Sequence, residues 1–168
     1  MNKNIRRRSS HSKESYREGF IDIIRPVYNN RHIQEMRLYP NHRDTSCLEH
    51  SLNVSYTAYR IGKALNLDAK SLARASMFHD FYLYDWHIKG NRKGLHGMMH
   101  AAEAYNNTIK YFEVNEKEKD MILTHMWPLN PKLPKYIESI LLMCVDRYCT
   151  VLELLKIKSY RNDFSKDL

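Results

Sequence analysis

The chain has 168 residues, with 27 Lys and Arg against 19 Asp and Glu, giving a formal net charge of +8. At roughly 150 residues per domain, this length predicts a single domain that can enclose a core without disulfides. Five Gly and five Pro are about half the usual share, which argues against a turn-rich sandwich or barrel. The 43% hydrophobic content excludes a disordered chain. No apolar stretch approaches the roughly 18 residues of a membrane span.

Basic residues concentrate near the N-terminus, where residues 1–43 carry ten Lys or Arg and four acidic side chains. We expect a basic, solvated arm here, and polar residues follow its first eight positions instead of an apolar signal region. Such an arm can meet phosphates, but no zinc-finger spacing, RNP-like motif or Gly-rich phosphate loop accompanies it, so nucleic acid is not favoured as a partner. The three cysteines form no CxxC pair and predict reduced thiols in a cytoplasmic protein.

Turn-forming residues divide the chain into helical blocks. The first predicted helix covers 12–25 and is kinked or ended by Pro26, and residues 29–43 are less regular. The others run from N-cap residues 44–46 to about 65, then over 69–80, 98–112, 115–126 and 135–155. The last carries apolar residues in alternating steps of four and three, namely Ile137, Leu141, Cys144, Tyr148, Val151 and Leu155. No strand pattern competes, which predicts a single all-α bundle.

Polar residues occur on three of the predicted inward helix faces. His50 lies on the apolar stripe of its helix, and His79 follows the same pattern with Asp80 directly after it. Asp146 ends an apolar run and shares a side with Leu142. Each has a separate explanation, such as a hydrogen-bonded core histidine or an aspartate paired with an arginine. Together they suit a metal ion in a bundle core, because a buried carboxylate costs several kcal/mol unless it is paired, protonated or metal-bound.

The order His50, then His79-Asp80, then Asp146 resembles the HD superfamily of metal-dependent phosphohydrolases. The resemblance covers roughly residues 42–155. The local sequences around His79 and His125 are similar to those of a small bacterial subgroup of HD proteins. It implies an all-α, HD-domain/phosphodiesterase-like helical bundle in which those four side chains bind a divalent metal. We therefore divide the chain into an N-terminal arm and helix at 1–41, an HD domain at 42–156 and a C-terminal tail at 157–168.

The resemblance also implies further metal ligands. Two-metal members carry additional histidines between the His-Asp pair and the last aspartate, and His100 and His125 occupy those places, with Asp80 bridging both ions. The alternative is that both are ordinary helix-end residues, His125 at a C-terminus where an imidazolium is favoured. The implied cofactor is one or two ions of Fe, Mn, Zn, Co or Ni, because imidazole and carboxylate ligands suit these metals.

The catalysis implied by the family is hydrolysis by metal-activated water, with Asp80 at its centre and no protein nucleophile. The basic loop with Lys89, Arg92 and Lys93 is expected to neutralise the substrate phosphate, unless it is simply a solvated loop. His42 and His96 are candidates for contacting substrate.

The chain departs from the family pattern after the His-Asp pair. The segment Phe81-Tyr82-Leu83-Tyr84 follows, where many members have a small-residue turn and a lysine. The residue that the family uses as leaving-group acid is therefore not matched here, and His87 and Lys89 are the candidates to replace it.

The resulting functional prediction is a phosphohydrolase that acts on a phosphate ester of a nucleotide or another small phosphorylated metabolite. Two alternatives remain from other classes: a two-iron oxygenase of HD type, and a non-catalytic HD module that binds a nucleotide. The sequence identifies neither the substrate nor the oligomeric state.

Overall fold

The computed structural model describes residues 3–42, 44–88, 96–157 and 168, without the side chains of residues 3–15, 96 and 98. The described residues are mostly helical, as predicted. Their seven α-helices are α1 (Lys3–Tyr28), α2 (Arg31–Glu35), α3 (Cys47–Ala64), α4 (Ala69–Phe78), α5 (His96–Tyr111), α6 (Glu116–Thr124) and α7 (Ile137–Leu154). None of them has the length and apolar character of a membrane-spanning helix.

Side-chain caps begin several of these helices. Ser46 accepts from the Glu49 amide, and the Glu49 carboxylate accepts from the Ser46 amide, which forms a complete capping box at the start of α3. Asn115 and Glu118 form the same arrangement at the start of α6. The predicted N-cap chemistry before α3 is thus confirmed, and these caps fix where two helices that carry site residues begin.

The prediction that no strand is present was wrong. Two short strands, β1 (Pro40–His42) and β2 (Thr45–Ser46), pair antiparallel between a 3-10 turn at Met36–Leu38 and α3. Strands of three and two residues are too short to show the alternating period by which a strand is recognised in a sequence.

Helix α1 is longer than predicted at both ends. It begins at Lys3 and continues through Pro26 to Tyr28. Pro26 lies in the last turn, so the helix loses one hydrogen bond near its end instead of breaking. The inner half of α1 supplies Phe20 and Ile24 to the same core cluster that contains residues of α3 and α4.

Helices α3 and α4 form the centre of the bundle. Gly62 permits their close approach, because a Cβ there would lie 2.5 Å from Leu72 Cδ1 and 3.4 Å from the Ala69 backbone. Most of the predicted α3 stripe is buried, but Leu65 at its end is exposed because it follows the last helical residue. The predicted α4 was two residues too long, since it ends at Phe78 and leaves His79 as its C-cap.

Helix α7 packs one face on the bundle and leaves the opposite face outside. Asp146 faces inward together with Leu142 and Cys149, as predicted. The apolar series in steps of four and three lies on the other side, where Ile137, Tyr148 and others are exposed. Periodicity identified a helix here but did not indicate which face is buried.

Candidate metal centre

Six polar side chains from five helical regions converge in the interior. We call them the His–Asp cluster: His50 in α3, His79 and Asp80 at the end of α4, His100 in α5, His125 after α6, and Asp146 in α7. All six residues are buried. The most exposed side chain is that of Asp146, at 13%, so solvent reaches the cluster on the side of this carboxylate.

Two of the histidines are oriented by the helix that precedes them. His79 Nδ1 donates to the Ser76 carbonyl at 2.7 Å, and His125 Nδ1 donates to the Ile122 carbonyl at 2.8 Å. Both residues are C-caps, so each ring bonds a carbonyl that the helix leaves without an amide partner. This bond places the proton on Nδ1 and turns Nε2 toward the cluster. His79 Nε2 is buried and makes no hydrogen bond to the described residues.

His50 lies between two carboxylates. Its Nδ1 is 2.9 Å from Glu153 Oε2, and its Nε2 is 3.0 Å from Asp146 Oδ1. Asn53 also donates to Glu153, at 3.1 Å. Glu153 therefore holds the His50 ring from behind while Nε2 faces the cluster, which is the carboxylate–histidine arrangement that supports metal ligands.

The two carboxylate oxygens of Asp80 face different pairs of histidines. Oδ2 lies 3.8 Å from His50 Nε2 and 3.5 Å from His79 Nε2. Oδ1 lies 3.3 Å from His100 Nε2 and 3.8 Å from His125 Nε2. The buried Asn41 amide donates to Oδ2 at 3.0 Å and fixes the carboxylate between the two pairs.

The electrostatics of the cluster favour anionic aspartates. Burial raises the pKa of Asp80 and Asp146, but the surrounding histidines outweigh it and hold both well below their usual range. Burial also lowers the pKa of His50, yet the hydrogen bonds with Asp146 and Glu153 raise it well above the usual value.

His125 behaves differently from His50. Burial, together with His100 and His79, lowers the pKa of His125 to about 3. It is therefore neutral at pH 7, unlike the imidazolium expected of an ordinary histidine at a helix C-terminus. With the proton on Nδ1, its Nε2 carries a lone pair, and this atom lies 2.8 Å from His100 Nε2.

These residues can hold a metal ion. Potential ligand atoms lie within 4.8 Å of one another in each of three groups: His50, His79 and Asp80; His79, His125 and Asp146; Asp80, His100 and His125. Asp80 belongs to two of these groups, because each of its two carboxylate oxygens faces a different pair of histidines. The orphaned Nε2 of His79 and the lone pair of His125 fit a cation, because each points at buried carboxylates that no lysine or arginine neutralises among the described residues.

The other predicted site residues are distributed differently. His42 adjoins the cluster, with its ring centre 5.6 Å from that of His50 and its Nε2 3.4 Å from Thr150 Oγ1. His87 lies at the surface, stacked on Trp86 and bonded to Asp85. His96 begins α5 but its side chain lies outside the description, as do the whole residues Lys89, Arg92 and Lys93.

Three supporting residues were missed by the sequence analysis. Glu153 lies seven residues after Asp146, and Asn53 lies three after His50, so helical spacing alone would place each beside its ligand. Asn41 had no comparable signal, because it depends on a hairpin too short to predict. The arginine next to Asp146 does not pair with it, since the Arg147 guanidinium donates to the Trp127 carbonyl.

Comparison of the chain with family models, with curated proteins and with solved structures finds no match in any of the three.

Proposed function

We propose that the chain is a metal-dependent phosphohydrolase acting on the phosphate ester of a nucleotide or another small metabolite. The observation that carries the proposal is the division of Asp80, whose two oxygens face separate pairs of buried histidines. A bridging carboxylate between two sets of imidazoles suits a pair of divalent ions. The ordered series of residues that resembles the HD superfamily supports the same reaction class.

The residues that would hold the metal divide into two sets. His50, His79 and Asp146 form one with Asp80 Oδ2, and His100 and His125 form the other with Asp80 Oδ1. Bound divalent ions would supply an acidified water and neutralise phosphoryl oxygens. Glu153, Asn41 and the Ser76 and Ile122 carbonyls orient the ligands, so the geometry is held before an ion enters.

The two buried thiols, Cys47 and Cys149, support hydrolysis by water over a covalent cysteine intermediate. Burial raises the pKa of Cys149 to about 12 and also raises that of Cys47. Both thiols therefore stay protonated at neutral pH and are poor nucleophiles. His42, beside His50 and Thr150, is the described residue outside the ligand set that we propose contacts the substrate.

The test begins with protein purified without chelator and reconstituted with Mn²⁺, or with Fe²⁺ under anaerobic conditions. Release of inorganic phosphate is then measured over nucleoside mono-, di- and triphosphates and sugar phosphates. We expect metal-dependent turnover that is lost in His79→Ala. His32→Ala is a matched control, since His32 pairs with Glu35 away from the cluster. If the iron-loaded protein consumes oxygen and releases no phosphate, the result would contradict the proposed hydrolysis and favour the oxygenase alternative.

A further inference from the structure

The outward face of α7 is mostly apolar, with Arg147 as its charged residue. We call it the outer strip, and six of its large side chains are each between 42% and 64% exposed: Ile137, Ile140, Tyr148, Val151, Leu154 and Leu155. Leu141 and the exposed Cys144 complete it. The metal ligand Asp146 lies on the opposite, inward face of the same helix.

The spacing of the strip indicates that its partner is a helix. The series from Ile137 to Leu155 advances in steps of four, three, four, three and four. Alternating steps of three and four are the a and d positions of a heptad, whose side chains insert between those of a second helix. The strip extends over the 18 residues of α7, or about 27 Å at the rise of an α-helix.

The charge of the strip favours a second copy of this chain as the partner. Its one charged side chain is Arg147, whose guanidinium donates to the Trp127 carbonyl. Two such strips therefore bring together mainly apolar side chains and one arginine each, with each guanidinium bonded to its own chain. The chain's own tail is less suited to cover the strip, because five of its ten residues at 158–167 are charged and no apolar heptad continues there.

The exposed area is also close to what a dimer needs. Six side chains, each about half exposed, together offer on the order of 600 Å², which is at the low end of specific interfaces, where roughly 800 Å² per partner is standard. We propose that the chain forms a two-fold symmetric dimer in which the outer strips of two α7 helices pack together. In such an isologous interface both subunits contribute the same surface.

The test is the mass of the full chain in solution, measured by sedimentation equilibrium over a range of concentrations. We expect the wild type to have twice the chain mass and Tyr148→Glu to weaken self-association by about 100-fold or more, because a buried aromatic anchor is replaced by a charge. Val151→Glu, at another exposed position of the strip, should do the same. Circular dichroism establishes that each variant is folded, and whichever variant folds decides the result.

Ile109→Glu is the matched control, since Ile109 is 49% exposed on α5, outside the strip. This variant should dimerise like the wild type. A monomeric wild type would overturn the proposal and indicate that another partner or the chain's tail covers the strip. Folded strip variants that remain dimeric would also overturn it, since the interface would then lie elsewhere.

Discussion

His100 Nε2 lies 2.8 Å from His125 Nε2. Because His125 carries its proton on Nδ1, its Nε2 can only accept, so in the metal-free protein His100 must present a proton there. With Asp80 Oδ1 at 3.3 Å from the same His100 atom, a cation can replace that proton and contact all three groups. Whether His100 and His125 bind an ion therefore decides whether the cluster holds one metal ion or two.

Replacing His125 by Ala should reduce the metal content from about two ions per chain to about one. The other site keeps His50, His79, Asp80 and Asp146, so its ion and the fold should survive. Elemental analysis after reconstitution with excess Mn²⁺ measures the change, and His87→Ala, at the surface, is the control. If the native protein holds one ion and His125→Ala retains it with unaltered turnover, the mechanism is mononuclear.

Replacing Asp80 by Ala should abolish metal binding and activity together. The carboxylate faces both histidine pairs, so its removal takes a ligand from each ion and leaves the imidazoles without their central anion. Asp85→Ala is the matched control for metal content, because Asp85 is a carboxylate that pairs with His87 outside the cluster. Full metal content in folded Asp80→Ala would contradict the assignment of the cluster as the metal centre.

Glu153→Gln should weaken metal binding by about 10- to 100-fold without removing a ligand, the range typical of groups that orient metal-bound histidines. The amide keeps the size of the side chain but loses the charge that holds His50 Nδ1. Competition with a chromophoric chelator measures the affinity, and Glu103→Gln, at an exposed site on α5, controls for the loss of a charge. An unaltered affinity would show that Glu153 supports the fold alone.

Metal binding should release protons and strengthen as the pH rises. In the metal-free protein Asp146 and Glu153 outweigh burial and keep the pKa of His50 well above its usual value, so His50 is protonated at pH 7. A metal ion must displace the Nε2 proton, and this competition weakens binding as the pH falls. Calorimetric titration in two buffers with different ionisation enthalpies counts the released protons. Equal heats in both buffers would show that His50 is not displaced from a protonated state.

Deleting residues 1–11 should leave the metal content and turnover of a small substrate unchanged. Among the side chains of α1 that the structure describes, those that pack on the core are Tyr16 and later residues, including Phe20 and Ile24. By contrast, Phe20→Ala should lower the free energy of unfolding by about 3–5 kcal/mol, because the ring is fully buried between Tyr56 and Tyr59. Urea denaturation compares the two variants. A large drop in kcat on deletion would indicate that the arm reaches the active site.

The burial of His50, His79 and Asp146 could be predicted from the sequence, because each is a polar residue in an otherwise apolar helical pattern. His50 and Asp146 are polar residues on buried helix faces, and such positions carry information about chemistry. The apolar periodicity of α7 did not indicate its buried face, since both faces hold apolar residues, and Asp146 alone pointed to the inward side. Asn41 could not be predicted either, because its contact with Asp80 joins residues 39 positions apart through a hairpin without a periodic signal.

The acceptors that set the tautomers of His79 and His125 are main-chain carbonyls, at Ser76 and Ile122. Every amino acid supplies the same carbonyl, so substitutions at these two positions leave the ring orientation intact as long as the helix forms. A one-residue insertion or deletion within α4 or α6 differs, because it rotates the helix end by about 100° relative to the residues before it. A change of length in either helix should therefore disturb the orientation of these rings more than a substitution at Ser76 or Ile122 does, although both positions are fully buried.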